Sequence, residues 1–181
     1  RQIDLITEKL APAMRKYARL VGKMNKLDRV TFADLKLPLD AEFDPRVTIG
    51  ESREYVRSAL SVLGQDYADM VDEAYDKRWI ARNVGKETGG FCSSPYGCNS
   101  YILLSWNNRM ADVFTIAHEL GHAGHFRLCN GAQSLFDTNV SGYLIEAPST
   151  MNELLLAQDL LRKNTDKRFR RWVLSSLIGH T

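Results

Sequence analysis

Apolar residues recur every three or four positions along most of the chain, and this spacing predicts a protein built mainly from α-helices. The first such stripe runs from Ile3 to Met24, where Pro12 should kink the helix or open a second one. We interpret this stripe as core packing. Two further helices are predicted at about 50–62 and 65–77, with Gly64 between them.

The pattern changes at 80–91 and 100–106, where short runs of large apolar and aromatic residues predict strands. Gly89, Gly90 and Phe91 lie in the first run. Glycine has no side chain and an edge strand has free N–H and C=O groups, so a peptide can dock here by strand addition. A tight turn or bulge explains the same glycines, and the spacing alone favours it. The expected fold class is mainly α with a small antiparallel β-sheet (α+β).

A helix predicted at about 108–128 carries three of the four histidines. Within it, His118, Glu119 and His122 form the H-E-x-x-H pattern that is typical of zinc hydrolases. Four residues advance about 400° in an α-helix, so the two imidazoles share a face and can reach one ion. Glu119 lies between them and can act as general base towards a water that the metal activates.

The flanks of the motif favour a buried helix over one that carries two histidines by chance. Asn107 or Asn108 offers an N-cap, and apolar residues recur on one face. The apolar positions are Met110, Val113, Phe114, Ala117, Leu120 and Leu128.

A catalytic zinc usually has three protein ligands and an open position, so a third ligand is required. His125 is one candidate, because it lies on the same face as His122. Glu146 is the better candidate. It opens another amphipathic helix, predicted to end near Lys163, on which it shares a face with Glu153. The opposite face of that helix is predicted to be apolar through Met151, Leu154, Leu155 and Leu161.

Two segments, HELGHAGH at 118–125 and EAPSTMNE at 146–153, together resemble the oligoendopeptidase F and thimet oligopeptidase family of zinc metallopeptidases. The likeness continues upstream through Gly85–Phe91 and Ser100–Leu104, and covers about residues 45–160. The resemblance implies a zincin-like catalytic core of the gluzincin type.

The resemblance also implies roles for individual residues. His118, His122 and Glu146 would hold one Zn²⁺ ion, and Glu119 would be the catalytic base. Glu153 matches a family glutamate that would contact the metal ligands without binding the metal itself. His125 either donates a hydrogen bond outside the direct ligands of the metal or is a histidine packed in the protein without a role at the metal. The second alternative is favoured.

The implied function is that of a zinc metalloendopeptidase that hydrolyses short peptides. With the resemblance, peptide docking at Gly89, Gly90 and Phe91 is as well supported an interpretation of these glycines as a tight turn or bulge. In the resembled family, a tyrosine and a histidine that stabilise the oxyanion lie beyond the last residue of this chain, and His180 does not match them. We therefore expect the chain alone to hold zinc but to turn over peptides poorly.

The first residue is Arg1, and family members are several times longer. We expect residues 1–181 to form a single zincin-like catalytic domain, a fragment of a longer peptidase whose remaining parts would be its partners. Two alternatives stay open: another gluzincin exopeptidase, similar to a dipeptidyl carboxypeptidase, or a non-catalytic helical metal-binding module. An aminopeptidase is less favoured, because the G-x-M-E-N element is absent.

Composition limits the other classes. A net charge of +2 gives no reason to expect a nucleic-acid partner, and the basic residues of the last predicted helix, 166–178, are read as a solvated face. No run is apolar enough for a membrane span, and no signal-like segment opens the chain, so we expect a soluble cytoplasmic protein. The spacing of Cys92 and Cys98 permits a disulfide, but the three cysteines, which include Cys129, are expected to be free thiols.

Overall fold

A computed structural model describes residues 1–82 and 89–180. It confirms a mainly helical fold with a small sheet. The helices are α1 (Gln2–Leu5), α2 (Ala11–Met24), α3 (Ile49–Leu60), α4 (Gln65–Asp76), α5 (Met110–Ala132), α6 (Ala147–Lys163) and α7 (Lys167–His180), and the strands are β1 (Ile80–Arg82), β2 (Gly90–Ser93) and β3 (Tyr101–Leu104). None of the described helices combines the length and apolar composition needed to cross a membrane.

The N-terminal helices α1 and α2 join through a π-helical segment, Ile6–Leu10, and Pro12 lies in the first turn of α2. The Ala11 N–H donates to the Ile6 carbonyl, so the π-helical hydrogen bonds run up to the residue before the proline, which has no N–H to continue them. The prediction that this stripe packs in the core was wrong for most of its length: Ile3 is 77% exposed and Leu10 is 45% exposed, whereas Val21 is fully buried. Among the described elements, α2 contacts mainly the neighbouring π segment and a short 3₁₀ turn at 33–36, so the stripe has little to pack against.

Helices α3 and α4 form close to the predicted positions because their ends are locally specified. The Thr48 backbone N–H donates to Glu51 Oε2 at 2.7 Å, and Thr48 Oγ1 accepts from the Glu51 N–H at 3.3 Å. This capping box fixes the start of α3. Gly64, with φ of 102°, separates the two helices.

The sheet is mixed, whereas an antiparallel sheet was predicted. Its strand order is β1-β3-β2, with β2 antiparallel and β1 parallel to the central strand β3. Ile102 and Leu104 are buried on one face of β3, while Tyr101 and Leu103 are partly exposed on the other. The buried face lies against α5, and strand β2 also contacts that helix.

Helix α5 runs through the centre of the core. Its N-terminus is closed by Asp112, whose Oδ2 accepts from the backbone N–H groups of Asn107 at 2.7 Å and Arg109 at 3.0 Å. The cap is therefore a carboxylate inside the first turn, where an asparagine before the helix was predicted. Leu128, which was predicted on the apolar face, is 72% exposed. The buried apolar residues of α5 are Met110, Val113, Phe114, Ile116, Ala117, Leu120 and Ala123.

Helix α6 lies against α5, α3 and α7, and only part of its predicted apolar face packs there, namely Leu155 and Leu161. Met151 and Leu154 are about half exposed, at 51% and 48%. The inward face mixes apolar residues with polar ones, namely Ser149, Asn152, Glu153, Leu156, Ala157, Asp159 and Leu160.

Asp159 anchors α6 to α3 through an Oδ2 that accepts from Ser58 Oγ at 3.1 Å. Lys163 and Arg162 lie 2.7 and 2.6 Å from the same carboxylate. Burial raises the pKa of Asp159, but the hydrogen bonds from Lys163, Arg162 and Ser58 outweigh it, and the pKa lies below its usual value.

Candidate metal centre

Helix α5 places His118 and His122 side by side. They are one helical turn apart, and their ring centroids are 5.0 Å apart. Both rings are partly buried, with side-chain exposures of 27% and 13%. Burial lowers the pKa of His122, which favours the neutral imidazole that a metal requires.

Glu146 brings a carboxylate to both rings from the start of α6. Its Oε2 lies 3.2 Å from His118 Nε2 and 3.5 Å from His122 Nε2. One ligand atom from each of the three residues lies within 4.8 Å of the others. Ligands of a tetrahedral zinc ion, at about 2.0–2.2 Å from it, are about 3.3–3.6 Å apart, so the separations of Glu146 from the two rings fit such an ion. The structure therefore brings together the three residues that the sequence suggested.

Close packing between α5 and α6 makes this meeting possible. A Cβ at Gly121 would lie 2.5 Å from Ser149 Cα and 2.9 Å from the Pro148 carbonyl carbon. Only glycine allows the backbones to approach so closely. Because Glu146 lies just before this contact in the chain, the approach brings its carboxylate to the histidines.

Glu153 contacts the far side of His118. Its Oε1 lies 2.6 Å from His118 Nδ1, and this hydrogen bond raises the pKa of His118. A proton shared between these atoms lies on the Nδ1 side of the ring and leaves Nε2 free to face Glu146. The family resemblance implied this position for Glu153, in contact with a metal ligand and not with the metal itself.

Glu119 is only 5% exposed, although it lies beside the two histidines. Burial raises the pKa of its carboxyl above the usual value, and the nearby His118 opposes that shift. Phe114, Thr115 and Glu153 line a cavity of about 170 Å³ together with His118 and Glu119. A carboxylate in this environment is suited to accept and release a proton.

Strand β2 covers Glu119 from the other side. A Cβ at Gly90 would lie 2.7 Å from Glu119 Oε1, so the absence of a side chain lets the strand lie against the carboxylate. Gly89, with φ of 119°, leads into the strand, and Phe91 is 63% exposed. Among the described residues, β2 pairs with β3 alone and is an edge strand. The residues Gly85–Thr88 of the upstream likeness lie outside the described residues.

His125 is not part of the ligand cluster. Its Nδ1 is buried and has no hydrogen-bond partner within residues 1–82 and 89–180. The ring is stacked with Phe126, with centroids 5.9 Å apart. This geometry matches the packed histidine better than an outer donor. Cys92, Cys98 and Cys129 are free thiols.

Sequence reasoning missed Asn152 and Tyr67, which link three helices near the site. Asn152 Nδ2 donates to the Ala117 carbonyl at 2.9 Å and to Tyr67 Oη at 2.9 Å. The Tyr67 hydroxyl in turn donates to the Leu120 carbonyl at 3.2 Å. The sequence did contain one indication of this contact: the polar residues Ser149, Asn152 and Glu153 recur at helical spacing on one side of α6.

Residues 47–177 match the sequence profile of Peptidase family M3. "Oligopeptidase PepF" of Bacillus subtilis (strain 168) is 34% identical over 169 residues, which cover 92% of this chain and 25% of that protein. "Oligoendopeptidase F, chromosomal" of Lactococcus lactis subsp. cremoris is 29% identical over 161 residues, which cover 88% of this chain and 27% of that protein.

A crystal structure of a protein assigned as a peptidase from Chlamydophila abortus superposes with a TM-score of 0.80 at 27% identity. The match covers 97% of this chain and 30% of that one. This chain thus spans about a quarter to a third of the length of the relatives it matches. Since the family profile covers most of its residues, the chain belongs to peptidase family M3.

Proposed function

We propose that this chain carries the catalytic centre of a zinc metalloendopeptidase that cleaves short peptides. The observation that carries the proposal is the convergence of His118, His122 and Glu146 from two helices, with Glu119 buried beside them. The relatives named oligopeptidase and oligoendopeptidase support short peptides as the substrate class.

In this proposal, His118, His122 and Glu146 hold a single Zn²⁺ ion. Two imidazoles and one carboxylate form a common ligand set of catalytic zinc and leave a place for solvent or substrate. When bound, the ion would polarise the peptide carbonyl and make the attacking water more acidic. Glu153 would keep the His118 ring oriented through the 2.6 Å contact at Nδ1.

Glu119 would take the proton from the attacking water and pass it to the leaving amine. A carboxyl whose pKa is raised by burial holds a proton more readily than an exposed one, which suits both transfers. Gly90 keeps β2 close to this carboxylate, and the free edge of β2 would bind the substrate main chain as an added strand. Gly89 and Phe91 would contribute to the same docking segment.

The proposal includes the organisation of the whole protein. Residues 1–181 would be one zincin-like catalytic domain within a longer peptidase, because the relatives are three to four times longer than the matched region. The family resemblance implies that donors for the oxyanion lie in a later part of such a protein. Fusing a relative's downstream segment to the chain should then raise turnover, and equal rates with and without it would refute this point.

Metal analysis of the purified chain and its variants tests the core of the proposal. Wild type should bind one Zn²⁺ per chain, and His122→Ala and Glu146→Ala should lose it. In the chain fused to a relative's downstream segment, Glu119→Gln should keep the metal and lose hydrolysis of an internally quenched peptide with both termini blocked, by about 10²–10⁴-fold, as expected when a general base is removed.

The outcomes separate the alternatives. A wild-type chain that binds no zinc with the histidines intact would overturn the proposal. Full turnover by Glu119→Gln would exclude this residue as the base. Cleavage only of peptides with a free carboxyl terminus would favour the dipeptidyl carboxypeptidase alternative, and zinc binding without turnover in the fused protein would favour the non-catalytic module.

A further inference from the structure

Asn152 and Tyr67 hold the part of α5 that carries the metal ligand and the base. Asn152 is 1% exposed, and its amide donates to the Ala117 carbonyl and to the Tyr67 hydroxyl. The hydroxyl then donates to the Leu120 carbonyl. These two carbonyls stand immediately before and after the dipeptide of residues 118 and 119. The hydrogen bonds therefore hold the α5 backbone on both sides of His118, the proposed ligand, and Glu119, the proposed base.

The same side chains reach that helix from two directions. Asn152 is on α6, one residue before Glu153, which hydrogen-bonds His118. Tyr67 is on α4, and a Cβ at Gly124 would lie 2.6 Å from its ring. Gly124 thus lets the tyrosine lie directly on the α5 backbone. Ala117 and Leu120 are both fully buried, so water cannot replace these hydrogen bonds without opening the core.

We infer that Asn152 and Tyr67 are positioning residues for the metal centre. They set the rotation of α6 about its contact with α5, so that the carboxylates of Glu146 and Glu153 meet the two sides of the His118 ring. Neither residue is one of the three candidate ligands. The inference rests on the proposed function, because it gives these residues a role only if the three ligands hold an ion.

The chain offers a matched control within one helix. Tyr75 is also a partly buried tyrosine of α4, and its hydroxyl also hydrogen-bonds a neighbouring helix, through Ser52 Oγ of α3 at 2.9 Å. Tyr67→Phe and Tyr75→Phe each remove one partly buried, hydrogen-bonded hydroxyl from the same helix. They differ in whether the lost bonds lead to α5.

Co²⁺ is the probe, because its visible spectrum reports ligand geometry. Its affinity is measured by competition with a chelator, and the melting temperature of each metal-free protein is measured in parallel. Tyr67→Phe should bind Co²⁺ about tenfold more weakly than wild type, as is typical when support behind the ligands is removed, with a changed spectrum. Asn152→Leu should lose more, because both of its hydrogen bonds disappear. Tyr75→Phe should keep wild-type affinity and spectrum even if its melting temperature falls.

The results distinguish two failures. If wild type does not bind Co²⁺, the proposed function fails. If wild type binds and Tyr67→Phe has the same affinity and spectrum, the two residues are merely structural and the inference is overturned. Equal losses in Tyr67→Phe and Tyr75→Phe would overturn it as well, since both would then reflect general destabilisation. Should Asn152→Leu fail to fold, the pair of tyrosine variants decides.

Discussion

Replacing Gly121 by alanine should separate the two helices that form the candidate metal centre. The added Cβ would lie 2.5 Å from Ser149 Cα and 2.7 Å from Ser149 N. Non-bonded carbon atoms prefer about 3.5–4.0 Å, so a shift of about 1 Å between α5 and α6 is needed. The obstructing atoms belong to backbone, which cannot move aside by changing a rotamer.

The magnitude follows from two opposing terms. Alanine in a helix interior is more favourable than glycine by about 1 kcal/mol. Overpacking of a well-packed core costs about 1–3 kcal/mol, and a backbone clash belongs at the upper end or above. We expect Gly121→Ala to lower the free energy of unfolding by about 2 kcal/mol, the difference between these terms.

The same shift should weaken zinc binding. Glu146 precedes the contact by three residues and moves with it, so its Oε2 would leave the positions 3.2 and 3.5 Å from the two imidazoles. Zinc affinity, measured by chelator competition, should fall at least about tenfold. Urea unfolding of the metal-free protein gives the stability change separately.

Two glycines serve as controls. Gly131 lies in α5 and Gly50 in α3, and a Cβ at either position meets no atom within 4 Å. Gly131→Ala and Gly50→Ala should be neutral or stabilising by up to about 1 kcal/mol, with zinc affinity unchanged. If Gly121→Ala matches these controls in stability and zinc affinity, the approach of α6 to α5 does not govern the site, and the reasoning is refuted.

Three further variants or treatments test other parts of the molecule. Gly90→Ala puts a Cβ 2.7 Å from Glu119 Oε1, so peptide turnover by the protein fused to a relative's downstream segment should fall at least about tenfold while zinc content stays at one per chain; unchanged turnover would contradict the contact. Burial raises the pKa of Cys92 to about 11, so at pH 8 about one thiol in a thousand is ionised, and iodoacetamide should modify the exposed Cys98 first, as read by peptide mass spectrometry. Comparable labelling rates would refute this. Since the pKa of Asp159 is lowered in the fold, its contribution to stability is present above the ordinary value near 4 and is lost as the pH falls through the folded value. The difference in melting temperature between wild type and Asp159→Asn should therefore be full at pH 7 and shrink below about pH 4, whereas a constant difference would show that the ionised form is not what stabilises.

The parts of the fold that the sequence predicted well are those set by nearby residues. His118 and His122 share a face because four residues make about one turn, whatever surrounds the helix. The start of α3 is fixed by Thr48 and Glu51, which are three residues apart. Gly64 ends one helical segment through its own backbone conformation. In each case the determining contact lies within a few residues, so the pattern contains it.

The errors concern contacts between distant residues. Strand β1 pairs with β3 in parallel, with Ile80 opposite Ile102, and no local feature of either strand specifies that direction. Tyr67 and Tyr75 look alike in sequence, but only Tyr67 reaches α5. The exposed stripe at Ile3 shows the same limit, because periodicity predicts an apolar face and not what covers it.

Helix α6 shows why apolar patterning describes a buried face only in part. Leu155 and Leu161 of the predicted apolar face pack against the core, but Met151 and Leu154 do not, and polar side chains take their place, which costs free energy unless each has a partner. In the structure Asn152 and Glu153 turn inward, since α5 and α4 offer them hydrogen-bonding groups. The rotation that satisfies these two residues is also the one that brings Glu146 to the histidines. The orientation of α6 therefore follows from its polar contacts with α5, and the partial exposure of Met151 and Leu154 follows from the same rotation that turns the candidate ligand Glu146 towards the histidines.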